Sequence, residues 1–461
     1  MSLTGSLLVG KSALLTKQEQ MATIGNNVSN ADRASYHKQV VETSDNYPVN
    51  HIKYSVGTGV SVERVTRNFD AALEGNLRTA YSEEGLYNEY SRYLEILESA
   101  VAENGNSVIV GAVSDFANSL QDLANNPESV VHRRALIANA ERVSEAYNLQ
   151  HKLVTDVQGR IAASDTQGTL PERVTQFNTL SEEIATLNDR IKRIESTFIK
   201  DGQEANTFRD ERDRLVGEMA KLADVTVTEQ NNGTYLVELN GHTVVDDTAT
   251  PKFNTIDFTL TAGATAYNWS DDASAVTLNS GEIKGLDLAY NYVGDRITDI
   301  NTYIATFANE MNTQHALGFD NAGNPGTALF DATTPGAMTV SISNPDLIAA
   351  ADNNTNSGDG DNARAMWQRM TNPIAGINGD TLTNKADKII DEIAIETNKN
   401  KALYDTAKFS TEMFQQSIHA FSGVSVDEEM IHMLEIQRSF QAAGKFVSAV
   451  DELLQTVINM V

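Results

Sequence analysis

Residues 5–12 carry the residue types of a phosphate-binding loop. Gly5, Gly10, Lys11 and Ser12 match the pattern G-x-x-x-x-G-K-[ST], in which backbone amides cradle phosphates, the lysine reaches the outer phosphates and the serine holds magnesium. Such a loop follows a buried strand, whereas only four residues precede this segment, and its apolar interior continues a helical stripe. A nucleotide-binding enzyme is therefore the less favoured interpretation.

A second segment imitates the start of a calcium-binding EF-hand loop. Asp352, Asn354 and Asn356 have the right spacing, but Ser357 stands where the loop needs glycine and Ala363 where it needs a bidentate glutamate. An Asx-rich surface turn is the better reading. The eight histidines show no metal-ligand spacing, and no nucleophile elbow occurs. We therefore predict no catalytic residue, no metal and no cofactor, and we expect no enzyme.

The composition is acidic and lacks cysteine. The 461 residues include 35 lysines and arginines against 63 aspartates and glutamates, a formal net charge of −28. Such a chain repels nucleic-acid phosphates and anionic membranes, so neither is expected as a partner. Without cysteine there can be no disulfide and no thiol nucleophile. No apolar run approaches the roughly 20 residues of a membrane span, and no secretory signal is evident.

The elements around these residues are mostly helical. Apolar residues recur at steps of three and four over about 69–103, 107–124, 128–163 and 385–420, as in a bundle of long helices. The clearest seam is Phe177, Leu180, Ile184, Leu187, Ile191, Ile194 and Phe198. A second is Val293, Ile297, Ile300, Ile304, Phe307 and Met311. The fold class is therefore predicted to be mainly α.

Two segments interrupt this pattern. Residues 225–281 alternate with period two and contain two Asn-Gly turn signals, which predicts a small inserted β-rich outer domain. Residues 316–362 are rich in Asn, Asp, Gly and Thr and are interpreted as an irregular excursion from the bundle, with a few short strands. The helical bundle domain would then comprise residues 61–224 and 282–421.

The two ends match each other, so residues 1–60 and 422–461 are predicted to form one terminal helical domain. Each end carries an amphipathic stripe, and the charges are complementary, +2 over residues 1–40 and −4 over 421–461. Gly10 and Gly444 are expected to let the two backbones approach closely. The predicted assembly interface comprises Leu3, Leu7, Leu14, Met21, Ile24, Val28, Phe440, Val447, Val450, Leu454 and Val457. Pairing of the terminal helices as a coiled coil would hide both stripes.

Short motifs at both ends resemble those of the bacterial flagellar rod, hook and hook-associated proteins. Residues 24–31 resemble the A-N-N-I-S-N signature, residues 33–39 its T-x-G-Y-x-R-Q continuation with Ser35 in place of glycine, residues 57–60 a G-x-G-V hairpin, and residues 422–429 the S-G-V-N-x-D-E-E motif. The matching positions are Asn26, Asn27, Ser29, Asn30, Tyr36, Gln39, Gly57, Gly59, Ser422, Gly423, Val424, Asp427, Glu428 and Glu429.

The helical middle separates the members of this group. Rod and hook proteins are mostly β-rich there, whereas the hook-associated protein of the hook–filament junction has a long helical domain. The chain is therefore identified as a member of the family of first hook-associated proteins, with another axial protein, a hook or rod subunit, as the alternative. The resemblance implies a structural adaptor that polymerises through its terminal helices.

The same resemblance implies partners and a location. They are the hook protein, a second, filament-side hook-associated protein, further copies of the chain in a ring, and a cytoplasmic export chaperone that binds the C-terminal helix. The protein would leave the cell unfolded through the flagellar type III apparatus, without a cleaved signal peptide, and would function outside the cell. The absence of cysteine suits that route.

Overall fold

The computed structural model describes residues 3–51, 54–101, 108–163, 169–197, 204–261, 264–356 and 358–460. Phe198 of the predicted seam, Ser357 of the EF-hand-like segment and Val461 at the end of the C-terminal stripe lie outside these ranges. The helices in the described part are α1 (Leu3–Ser29), α2 (Ala71–Val101), α3 (Val108–Asn125), α4 (Val130–Ala162), α5 (Leu170–Thr197), α6 (Asn206–Leu222), α7 (Glu282–Leu317), α8 (Asp361–Thr371), α9 (Leu382–Ser422) and α10 (Val426–Ile458).

The strands form small antiparallel sheets. They are β1 (Gln39–Asp45), β2 (Val49–His51), β3 (Tyr54–Val56), β4 (Val60–Arg67), β5 (Val225–Glu229), β6 (Tyr235–Leu239), β7 (His242–Val245), β8 (Ile256–Thr261), β9 (Ala264–Trp269), β10 (Phe330–Asp331) and β11 (Thr339–Val340). The order β5-β6-β7 forms a three-stranded sheet, and the other sheets are the pairs β1-β4, β2-β3, β8-β9 and β10-β11. The mainly α fold predicted from the sequence is thus confirmed, including the paired terminal helices.

The predicted seams are the core-facing sides of long helices. On α5, the side chains of Phe177, Ile184 and Ile191 are completely buried, and on α7 Phe307 and Met311 are as well. Apolar residues at steps of three and four lie on one face of a helix, so burying that face orders the whole element. Helices α2, α3, α4 and α9 begin within three residues of the limits that the periodicity indicated, whereas α5 and α7 begin seven and eleven residues before the first residue of their seams.

An aromatic cluster joins α3, α7 and the short strand β10. The ring centroids of Phe116 and Phe330 are 5.7 Å apart, and those of Phe307 and Phe330 are 5.4 Å apart. Both contacts are near-perpendicular, the favourable edge-to-face arrangement. Phe330 belongs to the segment predicted as an excursion, and its neighbours Leu329, Met338 and Ile348 are also buried. Residues 316–362 therefore pack into the bundle core, with short strands as expected.

The strands of residues 225–281 share that core. Tyr235, Val237 and Ile256 are buried in the same cluster as the seam of α5. Asn188 of α5 accepts a hydrogen bond from the amide of Tyr235 at 3.0 Å and donates one to its carbonyl at 2.8 Å. The β-rich segment is therefore fastened to the bundle side of the molecule. No helix within the described ranges is long and apolar enough to span a membrane.

Candidate functional site

The two terminal helices pack side by side in antiparallel orientation. Gly10 of α1 faces Val447 of α10 near one end, and Asn27 contacts Glu429 near the other. A Cβ atom added at Gly10 would lie 2.5 Å from Val447 Cγ2, so only glycine permits this approach. Gly444, expected to do the same, has no atom within 4 Å of an added Cβ, and that expectation is wrong for the single chain.

The predicted interface residues differ in burial. Ile24 and Val450 are buried, and Val457 is 48% exposed. The half-buried ones are Leu3, Leu7, Leu14, Met21, Val28, Phe440, Val447 and Leu454. The antiparallel register places Leu454 about level with Leu3, so Val457 lies beyond the described part of α1. The single chain thus covers the stripe only in part.

Further apolar side chains of α10 are exposed. The exposed apolar surface of α10 is defined here as Met430, Ile431, Leu434, Leu453 and Ile458. Each of these side chains is between 47% and 70% exposed. Exposed apolar side chains near both ends of a long helix are typical of a surface that associates with a partner.

The signature residue Asn27 joins four chain segments. Its Oδ1 accepts hydrogen bonds from the Tyr36 hydroxyl at 2.8 Å and from the Gln39 amide at 3.0 Å. Its Nδ2 donates to the Gln39 carbonyl and to Glu429 Oε2, both at 3.0 Å. Two donors and two acceptors are the full capacity of an asparagine side chain, and all are used. The buried Asn27 therefore fixes α1 to β1 and to the start of α10.

Glu429 is the anionic partner in this network. It is 2% exposed, and its Oε1 lies 2.7 Å from Lys38 Nζ. The backbone amide of Lys38 also donates to the carbonyl of Ser422, at 2.8 Å. Burial raises the pKa of Tyr36, and the carboxylates of Asp210 and Glu429 raise it further. The tyrosine hydroxyl is thus a stable donor to Asn27.

Residues 422–429 contain the turn between α9 and α10 and the first residues of α10. Gly423 donates its amide to the carbonyl of His419, and an added Cβ would lie 2.3 Å from that oxygen. Ser425 caps α10 by accepting from the Glu428 amide. Asp427, Glu428 and Glu429 occupy the first turn of α10, where negative charge complements the helix dipole. Ser422 and Val424 on either side of the glycine are buried.

The remaining signature residues shape the end of α1 and the start of β4. Ser29 donates to the Gly25 carbonyl at 2.7 Å, and Asn30 donates to Asn26, both one turn earlier. Gly59 has φ +105°, and an added Cβ would lie 2.1 Å from Ser12 Oγ. Gly57 has no atom within 4 Å of an added Cβ. Gly59, and not Gly57, is therefore the position at which the packing requires glycine.

Sequence reasoning missed a buried ionic cluster beside this network. His37 Nδ1 lies 2.9 Å from Asp210 Oδ1 and its Nε2 lies 3.3 Å from Glu74 Oε1. Arg67 Nη1 bridges Asp210 at 2.6 Å and Asp213 at 2.8 Å. Burial by itself would lower the pKa of His37, but the hydrogen bonds to Asp210 and Glu74 outweigh it and raise the pKa to about 9.

This ionic cluster fastens the terminal unit to the bundle, because His37 and Arg67 flank the β1-β4 hairpin while their partners lie on α2 and α6. A protonated imidazole with both N–H groups donating has no lone pair for a metal ion. The cluster is therefore a structural ion network. Only His37, inside the signature segment, carried a signal in the sequence; its partners are more than 35 residues away.

The two rejected motifs fold as other structures. Residues 5–12 lie inside α1, so most of their amides serve helical hydrogen bonds rather than a phosphate cradle. Ser12 Oγ accepts from the Val60 amide at 3.3 Å, which positions β4. In the EF-hand-like segment the amide of Asp352 donates to Asp359, as in a surface turn closed by its own carboxylates.

Residues 94–330, just over half of the chain, match the family model described as the flagellar hook-associated protein FlgK helical domain. Residues 415–460 match the model described as the flagellar basal body rod FlgEFG protein C-terminal. The helical-domain match distinguishes this chain from hook and rod subunits, whereas the C-terminal match is shared with them.

Individual relatives agree. Flagellar hook-associated protein 1 of Bacillus subtilis is 25% identical over 98% of this chain and 97% of its own length. The protein of that name from Salmonella typhimurium is 28% identical over 70% of this chain, which spans 59% of that relative. The solved flagellar hook junction protein FlgK from Burkholderia pseudomallei superposes with a TM-score of 0.63 at 17% identity, covering 76% of this chain and all of that one. The structural likeness shows a shared fold.

Proposed function

The chain belongs to the FlgK family of flagellar hook-associated proteins and is a structural component of the flagellum, and on that premise we propose that it forms the adaptor at the hook–filament junction. In this proposal the paired terminal helices polymerise into the inner tube, and the bundle with its β-rich region lies outside. The observation that supports this proposal is the incomplete burial of α10. A 33-residue helix that buries only two side chains within its own chain needs further partners.

A second copy of the chain is the proposed occupant of the exposed apolar surface of α10. Covering a large apolar side chain stabilises by about 1.5 to 3 kcal/mol, so a handful of such side chains offsets a considerable ordering cost. The opposite net charges of the two ends favour contact between α1 of one copy and α10 of the next. Closed repetition of that contact gives a ring.

Two neighbouring leucines allow a sharp test. Leu453 is 55% exposed, whereas Leu454 is half-buried against the α1 side. Both Leu453→Asp and Leu454→Asp are expected to block filament growth from the hook. Only Leu454→Asp should also loosen the terminal pair of the monomer, seen as faster proteolysis of residues 426–460.

A matched control lies on the bundle. Val131 of α4 is 74% exposed, and Val131→Asp places the same charge outside the terminal helices. Electron microscopy of flagella should show normal filaments with this variant. Normal filaments with Leu453→Asp would contradict the proposed interface.

We further propose the hook protein and a filament-side hook-associated protein as the neighbours above and below the ring. The support is the family membership and the exposed apolar side chains near the ends of α1 and α10, Leu8 and Ile458 among them. Crosslinking from cysteines introduced at Leu8 and Ile458, which are 61% and 70% exposed, tests this, because the chain has no other thiol. Adducts with neither neighbour in assembled flagella would contradict this assignment.

Export is proposed to proceed unfolded through the flagellar type III apparatus, with a cytoplasmic chaperone on the C-terminal helix. The chaperone would cover the apolar side chains that α10 exposes, including those from Phe440 onwards. Truncation before Phe440 should abolish chaperone binding in calorimetry, while Val131→Asp should leave it unchanged. Equal affinity of the truncated and full-length chains would place the chaperone site elsewhere.

A further inference from the structure

Three side chains of the β-rich region converge at one point on its surface. His242 begins β7, and Asp271 and Asp272 form the turn after β9. His242 Nε2 lies 3.6 Å from Asp271 Oδ1 and 3.7 Å from Asp272 Oδ2. Both distances are longer than an ordinary hydrogen bond, so the ring nitrogen faces two carboxylates at ion-pair distance.

The tautomer of His242 leaves that nitrogen available. The other ring nitrogen, Nδ1, lies 3.3 Å from the carbonyl oxygen of Thr243. A carbonyl only accepts, so Nδ1 carries a proton, and in the neutral ring the lone pair is then on Nε2. Metal-binding histidines are oriented in this way by a backbone carbonyl. The imidazole also stacks on the indole of Trp269, with ring centroids 4.2 Å apart and planes 9° apart, which fixes its direction.

The Asp272 carboxylate is oriented as well. Its Oδ1 accepts a hydrogen bond from the Ser274 amide at 2.8 Å, so its Oδ2 is the oxygen that faces His242. Ala273, which lies between Asp272 and Ser274, has φ +57°, a left-handed conformation that closes this tight turn. The side chains of His242, Asp271 and Asp272 are 24%, 46% and 53% exposed, so water can complete a coordination shell.

We propose that His242, Asp271 and Asp272 bind a divalent transition-metal ion, with Zn²⁺ as the reference ion. One imidazole and two carboxylates are ligands that Zn²⁺ and its neighbours accept, whereas Ca²⁺ and Mg²⁺ favour all-oxygen sites. Ligand atoms about 2.1 Å from a tetrahedral ion are about 3.4 Å apart. His242 Nε2 lies 3.6 and 3.7 Å from the two carboxylate oxygens, close to that ligand–ligand distance, and all three ligand atoms lie within 4.8 Å of one another. Small side-chain movements would therefore close the site.

Two other clusters in the described residues lack these properties. In the cluster of His37, Asp210 and Asp213, both imidazole nitrogens already bond to carboxylates. The cluster of Asp352, Asp359 and Asp361 contains no nitrogen ligand. The bound ion would link the β5-β6-β7 sheet, through His242, to the β8-β9 pair, through the turn after β9. It would therefore stiffen the β-rich region without touching the terminal helices.

The test is a calorimetric titration of the full-length chain with Zn²⁺ after removal of any purification tag. We expect one ion per chain. His242→Phe, which keeps an aromatic ring on Trp269, and the isosteric Asp271→Asn and Asp272→Asn should each weaken binding by about tenfold or more. The double variant Asp352→Asn, Asp359→Asn is the control and should bind as the original chain does. Circular dichroism verifies the fold of each variant.

Trp269 gives an independent readout. The chain has two tryptophans, so Trp367→Phe leaves Trp269 as the sole indole, in contact with His242. Ni²⁺ should quench its fluorescence, and Zn²⁺ should restore it by competition. Undiminished Zn²⁺ binding in all three ligand variants, or no saturable binding by the original chain up to the hundred-micromolar range, would overturn the proposal. Quenching that Zn²⁺ does not reverse would also overturn it.

Discussion

The bundle and the terminal helix pair use apolar residues at the same spacing and bury them to very different extents. The 18 residues of α3 include nine buried ones, among them Phe116, Leu120 and Leu123, with no measurable exposure. The 33 residues of α10 include two, Glu429 and Val450, and one of these is charged. This difference in burial shows that the bundle contains its own core, whereas the terminal pair has only part of one.

Buried ionic and polar contacts define how the two regions are joined. Asn27 and Glu429 join the two terminal helices to each other, and His37 and Arg67 join the terminal unit to α6 of the bundle. Such contacts are directional, so they define an angle that apolar packing would leave loose. The polar groups at one end thus hold the terminal helices in direction, while the apolar face of α10 is only partly covered.

The largest expected effect tests whether the two regions differ in stability. Leu120→Ala in the bundle should cost about 2 to 5 kcal/mol of unfolding free energy, because it leaves a cavity in a close-packed core. Leu434→Ala on α10, where the side chain is 52% exposed, should cost less than about 0.5 kcal/mol in the monomer. Urea denaturation followed by circular dichroism measures both. Equal losses would mean that the terminal pair has a complete core of its own.

The next largest effect is the pH dependence of stability that His37 contributes in the ionic cluster. The pKa of His37 is raised to about 9 from an ordinary 6.5. Its contribution is therefore fully present below pH 6.5, falls as pH rises and is lost above about pH 9. A shift of this size corresponds to about 3 kcal/mol.

The measurement is the unfolding free energy of the original chain and of His37→Gln at pH 6 and pH 9.5. The difference between the two proteins should shrink at the higher pH, since the variant lacks the titrating group. A difference that does not depend on pH would show that His37 is neutral in the folded chain.

A smaller effect is expected at the polar hub. Asn27→Ala should cost about 2 kcal/mol, because it leaves Glu429 and the Gln39 amide short of a buried partner. Asn26→Ala is the matched control, since Asn26 is exposed and its bond to Gln39 is 3.4 Å long. Thermal unfolding and proteolysis at the link between α9 and α10 measure both. Similar losses from the two variants would remove Asn27 from its central role.

The smallest effect separates the two glycines of the terminal helices. Gly10→Ala should destabilise by about 1 kcal/mol, because the collision with Val447 outweighs the gain in helix propensity. Gly444→Ala should stabilise the monomer by up to about 1 kcal/mol, since an added Cβ meets nothing in the single chain. Helix content during thermal unfolding distinguishes them. If Gly444→Ala also blocks filament growth, Gly444 faces a neighbouring copy.

Much of the fold could be predicted from local pattern. The seams of α5 and α7, the Asn-Gly turns and the pairing of the two ends all follow from periodicity and turn chemistry, which act over a few residues. The association of residues 225–281 and 316–362 with the bundle could not, because Tyr235 and Phe330 give no sign of which apolar surface they will join. Their partners were decided by shape.

The candidate site divides in the same way. Asn27 and Glu429 were each visible within a motif, but they are 402 residues apart, and their contact depends on the antiparallel register of α1 and α10. Arg67, Asp210 and Asp213 carried no signal, because a buried charge looks like a surface charge until its neighbours are known. The convergence of His242 with Asp271 was hidden for the same reason.

Local pattern specifies which segments are helical and which are extended, because side chains a few residues apart set those preferences, and the matched apolar stripes predict that the two ends pair. How much of each apolar face is covered, which polar groups meet and how the terminal pair is fixed to the bundle follow only from the tertiary structure. Those outcomes depend on distances between segments that local chemistry does not encode. The uncovered face of α10 is one of them, and covering it is left to other molecules.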